Sequence, residues 1–209
     1  MRLLVVFVLV ALLALGAGCA GEGDDAAQPA TTAAETTAPA ETDEPAETEP
    51  AEPGELAFTE SEIAEGEPID ELYTCDGDFV SPALNWAGIP EEAAELVLVV
   101  EDPDAPGGTY THWLVYAMAP DMDGLPRGTP PGPVVSGALS IRQGINDDDF
   151  PGYTAPCPPE GEEHRYAFTL YALEEETGLG PGASEDEIRA AVEESAVAEA
   201  TLTAVYQRP

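Results

Sequence analysis

The chain has 209 residues, with 42 Asp and Glu set against six Arg and no Lys. A surface this negative repels phosphate backbones, which excludes nucleic acid as a partner, and anionic lipid headgroups repel it as well. The acidity reads as a solvated surface suited to a salty environment, because net charge speaks to solubility more than to task.

In chain order, Leu3–Leu15 is an apolar run behind Arg2. It is too short to span a bilayer comfortably and fits the hydrophobic core of a signal peptide. Gly16-Ala17-Gly18-Cys19 comes next and resembles a bacterial lipobox, with Gly16 where Leu is usual. Residues 1–19 are therefore expected to be a lipoprotein signal peptide, with lipid on Cys19 and the protein on the outer face of the cell membrane. The alternative is ordinary signal cleavage, which gives a free secreted protein. Residues 20–55 are Ala, Thr, Glu and Pro with hardly a large apolar side chain. Such a stretch cannot offset backbone entropy by burial, so it is expected to be a disordered spacer reaching about 30–35 Å.

Residues 56–209 hold every Trp and Tyr and all but one Phe, enough for one domain with a real core. Leu96–Val100 is continuously apolar and predicts a strand buried on both faces. His112–Met118 comes after a Gly107-Gly108 turn and predicts a second strand, and Arg165–Tyr171 predicts a third, with Tyr166 and Phe168 on one face. Residues 120–162 are rich in Pro, Gly and Asp, which predicts long loops. Ser184-Glu185-Asp186-Glu187 fits a capping box, and Ile188, Ala191, Val192 and Ser195 continue it as an apolar helical stripe. The pattern predicts an all-β antiparallel sandwich carrying a C-terminal helix.

His112 and His164 are the chain's only histidines and open the second and third strands. Counting by two puts His164 with Tyr166 and Phe168, and His112 with Leu114, Tyr116 and Met118. A single His on such a face is usually a hydrogen-bonded core residue. Two of them at strand ends beside Pro-rich segments also suit a binding site. Asp102-Pro103-Asp104-Ala105-Pro106 stands directly after the first strand. Its carboxylates either cap the turn or orient a histidine and favour its charged form, which would bind phosphate or carboxylate. Arg165 alternates away from His164 and reads as structural, paired with an outer-face acid.

Asp102-Pro103-Asp104-Ala105-Pro106 with His112-Trp113-Leu114-Val115 resembles the first signature of the phosphatidylethanolamine-binding protein family. Gly144-Ile145-Asn146-Asp147, Gly152-Tyr153, Pro156-Cys157-Pro158-Pro159 and His164-Arg165-Tyr166 resemble the second. Thr74-Cys75-Asp76-Gly77 and Ser81-Pro82-Ala83-Leu84-Asn85-Trp86 are similar to the opening of its bacterial and archaeal branch. The resemblance implies a Greek-key β-sandwich with a small pocket for phosphate, phosphoethanolamine or carboxylate groups. It implies that Asp102, His112, His164 and Tyr166 line the pocket, with Pro158 or Pro159 on its wall and Asp104 close by. Asp148-Asp149, which look inserted, and Ala155 in place of a usual Gly suggest weaker anion affinity than in relatives.

Cys75 and Cys157 fall within these motifs, and an even pair in an exported domain favours a disulfide closing an 82-residue loop. No CxxC or HxxxH spacing supports a metal site, and no cofactor is implied. Three functions compete: a binding module for a small anionic ligand, an interaction protein inhibiting a peptidase or kinase, and a hydrolase using Asp and His. No GxSxG elbow exists, so the expectation is a binding protein rather than an enzyme.

Overall fold

A computed structural model describes residues 55–209; the leader, Cys19 and nearly all of the spacer lie outside them. Nine strands and one α-helix form the described part, and every strand pair is antiparallel. Strands β1 (Ala57–Phe58), β2 (Leu84–Ala87) and β5 (Gly124–Leu125) make a small sheet in the order β1-β2-β5. The large sheet contains β3 (Glu95–Asp102), β4 (Tyr110–Met118), β6 (Val134–Val135), β7 (Ile141–Gln143), β8 (Glu163–Leu173) and β9 (Ala196–Gln207). Its order is β6-β7-β4-β3-β8-β9. The fold is mostly β with one helix, as the sequence predicts.

The continuous apolar run in β3 is explained by burial on both sides of the large sheet. Leu96, Leu98 and Val100 join Leu84, Trp86 and Leu125 of the small sheet in the main core. Val97 and Val99 point the other way, into a second cluster with Leu114, Tyr116 and Ile188. Ile188 comes from α1 (Glu185–Ser195), which covers that second face. The capping box forms as predicted, with Glu187 N–H donating to the Ser184 side chain and Ser184 N–H to Glu187 Oε2. Three acids in the first turn also suit the positive end of the helix dipole. The helix lies in the C-terminal region but does not end the chain. At Ala196 the backbone turns extended, and β9 runs back along the whole of β8, from Ala196↔Leu173 to Gln207↔Glu163.

Two irregularities in β4 decide where its side chains point. Val100 pairs with Trp113 while the next residue of β3, Glu101, pairs with Thr111, so His112 is an extra residue in β4. A second shift lies between the pairs Leu96↔Met118 and Leu98↔Val115, where Ala117 has φ 54°. A bulge breaks the two-residue alternation and re-aims the side chains around it. His112 therefore does not share a face with Leu114 and Tyr116, as counting by two predicts. It meets Tyr166 of the main core edge-on at 5.3 Å, while Leu114 and Tyr116 face the helix and Met118 returns to the main core.

The predicted disulfide is present, Cys75 to Cys157, with Cα atoms 5.3 Å apart. Next to it Cys75 N–H donates to Pro156 O at 3.0 Å. No helix among the described residues is long and apolar enough to cross a membrane.

Candidate functional site

The site forms where β3 ends, β4 begins and β8 begins, three chain positions that antiparallel pairing brings to one end of the large sheet. Asp102 closes β3 and is 4% exposed. Its Oδ1 accepts from Asp104 N–H at 2.8 Å, and its Oδ2 accepts from His164 Nδ1 at 2.7 Å. One carboxylate thus fills both roles that the sequence left open, capping the turn and orienting a histidine. With Nδ1–H held by Asp102, the ring nitrogen left for other chemistry is Nε2. That atom lies 3.7 Å from Glu162 Oε2.

His112 is fixed through a different partner. Its Nδ1–H donates to Thr154 O at 2.9 Å, so again Nε2 is left over. Its ring packs against Tyr110 at 4.9 Å and Tyr166 at 5.3 Å. Burial holds the His112 pKa below the ordinary imidazole value, against the opposing pull of the Thr154 carbonyl and of Asp102, Asp148 and Asp147. At neutral pH this ring is neutral, with Nε2 an acceptor; once protonated, Nε2 becomes a donor.

A cavity of about 300 Å³ opens over these groups. Asp102, His112, His164 and Pro158 line it, as the resemblance implies, together with Pro159, Tyr110, Asp148, Thr154 and Cys157. The two remaining residues fall elsewhere. Tyr166 is fully buried behind His112 and is not part of the lining, and its hydroxyl is the buried side-chain atom without a hydrogen-bond partner among the described residues. Burial first, then the Asp102 charge, pushes its pKa far up, so it remains a neutral donor. Asp104 is committed to Arg165: Oδ1 accepts from Nη2 at 2.7 Å, and Oδ2 from Nε and from the backbone N–H, both at 2.9 Å. That pairing holds the Asp104 carboxyl well below the usual carboxylate range and makes Arg165 the outer-face partner of an acid.

Sequence reasoning gives no individual role to Asn146, which holds the far wall. Its Nδ2 donates to His112 O at 2.9 Å, Gly152 O at 3.1 Å and Thr154 Oγ1 at 2.8 Å. Its Oδ1 accepts from the backbone N–H groups of Asp148 and Phe150, each at 3.1 Å. One buried amide thereby fixes the 146–154 loop to β4 and sets Thr154 O beneath His112. The resembling motif contains Asn146, but its task shows only once the loop is folded. Thr154 acts through its main-chain carbonyl, for which no side-chain signal exists.

Electrostatically the lining holds two carboxylates, Asp102 and Asp148, and no Arg. Any positive charge offered to a ligand must come from the imidazoles. No group of three or more His, Cys, Asp or Glu arranged for a metal occurs among the described residues.

Comparisons with known proteins bear on the family and the fold. The family described as phosphatidylethanolamine-binding protein matches residues 59–207. A UPF0098 protein of Methanothermobacter thermautotrophicus is 44% identical over 141 residues, covering 67% of this chain and 91% of the relative. A Mycobacterium tuberculosis protein named as the lipoprotein LppC is 38% identical over 200 residues, covering 95% of this chain and 92% of its own. The crystal structure of Escherichia coli YbcL, described as a member of the mammalian PEBP family, superposes with a TM-score of 0.68 at 29% identity. It covers 74% of this chain and 99% of that one.

Proposed function

Because the chain belongs to the phosphatidylethanolamine-binding protein family, we propose that it is a membrane-tethered extracytoplasmic binding protein whose histidine cavity takes a small anionic group. The ligand class is phosphate, phosphoethanolamine or a carboxylate, held by hydrogen bonds without chemical turnover. The observation that carries this reading is the matched fixing of two buried imidazoles. Asp102 and Thr154 O hold both Nδ1–H groups, so two Nε2 atoms remain for one ligand. Protonated Nε2 groups would give charge-assisted hydrogen bonds to a phosphoryl oxygen. The tether rests on Gly16-Ala17-Gly18-Cys19 and on the similarity to a lipoprotein along nearly the whole chain.

The test is thermal unfolding of the full-length protein with and without phosphate and phosphoethanolamine, repeated with His112→Ala. A ligand at 100 times its dissociation constant stabilises by about 2.7 kcal/mol, a shift of several degrees for a domain of this size. The expected result is a shift in the parent that His112→Ala abolishes while the variant still melts cooperatively. No shift with either compound would overturn the anion reading.

A second reading, an interaction module that inhibits a peptidase or kinase, has one observation in its favour. Phe79 and Phe150 are exposed at 58% and 39% and flank a cavity walled by Pro130, Pro131 and Tyr153. A histidine cavity that ignores every small anion would move attention to this apolar rim.

A further inference from the structure

The opposite end of the large sheet carries a second cavity, of about 330 Å³, between the start of β3 and the end of β4. It lies at the other end of the eight-residue β3 from the histidines, roughly 23 Å at 3.3 Å per residue, and shares no lining residue with their cavity. The charged side chains on its walls are Glu95, Arg142 and Glu176.

Arg142 is the exception among the described arginines. Arg127 pairs with Glu62, Arg165 with Asp104, Arg189 with Glu101 and Glu185, and Arg208 with Asp76. In a domain so rich in carboxylates, Arg142 pairs with none among the described residues. Its Nη1 donates to the main-chain carbonyl of Leu179, which uses one of the five N–H groups of a guanidinium. Glu95, on the facing wall, is the converse case. It is 4% exposed, and its oxygens accept from Ala117 N–H at 2.8 Å, Thr177 N–H at 2.9 Å and Thr177 Oγ1 at 3.0 Å, with no cation paired to it among the described residues. Glu176 adds an exposed carboxylate on the same wall.

An unpaired guanidinium and unpaired carboxylates around one cavity suit a ligand carrying both signs. A plain anion would meet Arg142 but be repelled by Glu95 and Glu176. A plain cation would leave Arg142 unmatched. We propose that this cavity binds a small amino acid, its carboxylate on the Arg142 guanidinium and its ammonium toward Glu176 and Glu95. Arg presents paired N–H groups that match a carboxylate in a bidentate fork, and the volume is at the small end of ligand pockets.

The experiment is titration of the ¹⁵N-labelled full-length protein with alanine and 4-aminobutanoate, which separate the two charges by different lengths. Acetate and ethylammonium serve as single-charge probes. At least one amino acid is expected to give saturable amide shifts at Glu95, Ala117, Ser140 and Gly178 but not at Thr154. Arg142→Gln should weaken that binding at least tenfold. If the loss of the Leu179 contact unfolds that variant, Glu176→Gln, a change at an exposed side chain, carries the test with a severalfold loss. Three results would each overturn the proposal: no saturable shift in the folded parent, acetate binding as well as the amino acids, or Glu176→Gln binding like the parent.

Discussion

Strand β3 begins and ends on a buried carboxylate, and the two ends handle it differently. Glu95 and Asp102 are each 4% exposed, and each lies where a bulge in β4 breaks the alternation. A carboxylate out of water needs donors, or it takes up a proton. At Glu95 the donors are two backbone N–H groups and a hydroxyl, which never change charge. At Asp102 the donors are a backbone N–H and the Nδ1 of His164, an imidazole that carries a second ring nitrogen. The first end therefore pins a loop, and the second holds a group whose other nitrogen can face a ligand.

Removing the disulfide with Cys75→Ser and Cys157→Ser should have the largest effect and divide the ends most sharply. Loss of a closure over 82 residues costs about 3–5 kcal/mol in the chain-entropy account. Cys157 lines the histidine cavity and not the second one, so hydrogen exchange should rise around 154–158 well before it rises at Ala117 and Thr177. Uniform acceleration at both ends would mean that they are not separable units.

Next come Glu95→Ala and Asp102→Ala, each expected to cost about 2–3 kcal/mol in denaturant melts, because each strands buried donors. Only Asp102→Ala should also change the response to phosphate. If Glu95→Ala changed it equally, the contrast between the ends would collapse. Gly144→Ala tests a neutral region between them. A Cβ there would lie 2.5 Å from Ile188 Cδ1 and 3.0 Å from Ala183 O and Leu114 Cβ, so the Ile188 side chain must move aside, at a cost of about 1–3 kcal/mol. Phosphate binding should persist.

The smallest effect is in pH. The His112 pKa is lowered by folding, so the unfolded chain binds the proton more readily. Stability from this group is complete above the ordinary histidine value of about 6.5 and falls as pH drops below it. Sulfate, whose charge stays constant over this range, should stabilise more as the pH falls, because a protonated His112 becomes a donor. Sulfate stabilisation that weakens on acidification would remove His112 from the anion contact.

Much of this architecture is legible in the sequence. The apolar run of β3, the turn before β4, the capping box of α1 and the cysteine pair each carry a local signal, and each stands where predicted. Strand β9 carries none, because Ala196–Ala200 continues from the helix without Gly or Pro and contains good helix formers. Only its pairing with β8 makes it extended. Counting by two misplaces the face of His112 because it assumes an unbroken ladder, and an inserted residue leaves no mark in composition. Among the candidate site residues, Asp102, His112, Pro158 and His164 share the cavity wall. Asp104 is drawn off by Arg165, and Tyr166 stands one layer behind.

Strand β9 also fixes when the site can exist. His164 lies opposite Tyr206 of β9, and the outer edge of β8 has no other strand to bond to among the described residues. Until residue 207 has left the ribosome, an 11-residue strand with buried aromatic side chains presents an open edge, the kind of surface on which chains aggregate. Asp102 and His112 are made long before, but the wall carrying their partner waits for β9. A chain stopped before β9 would therefore have every candidate ligand-binding residue but an unpaired β8 at the cavity wall.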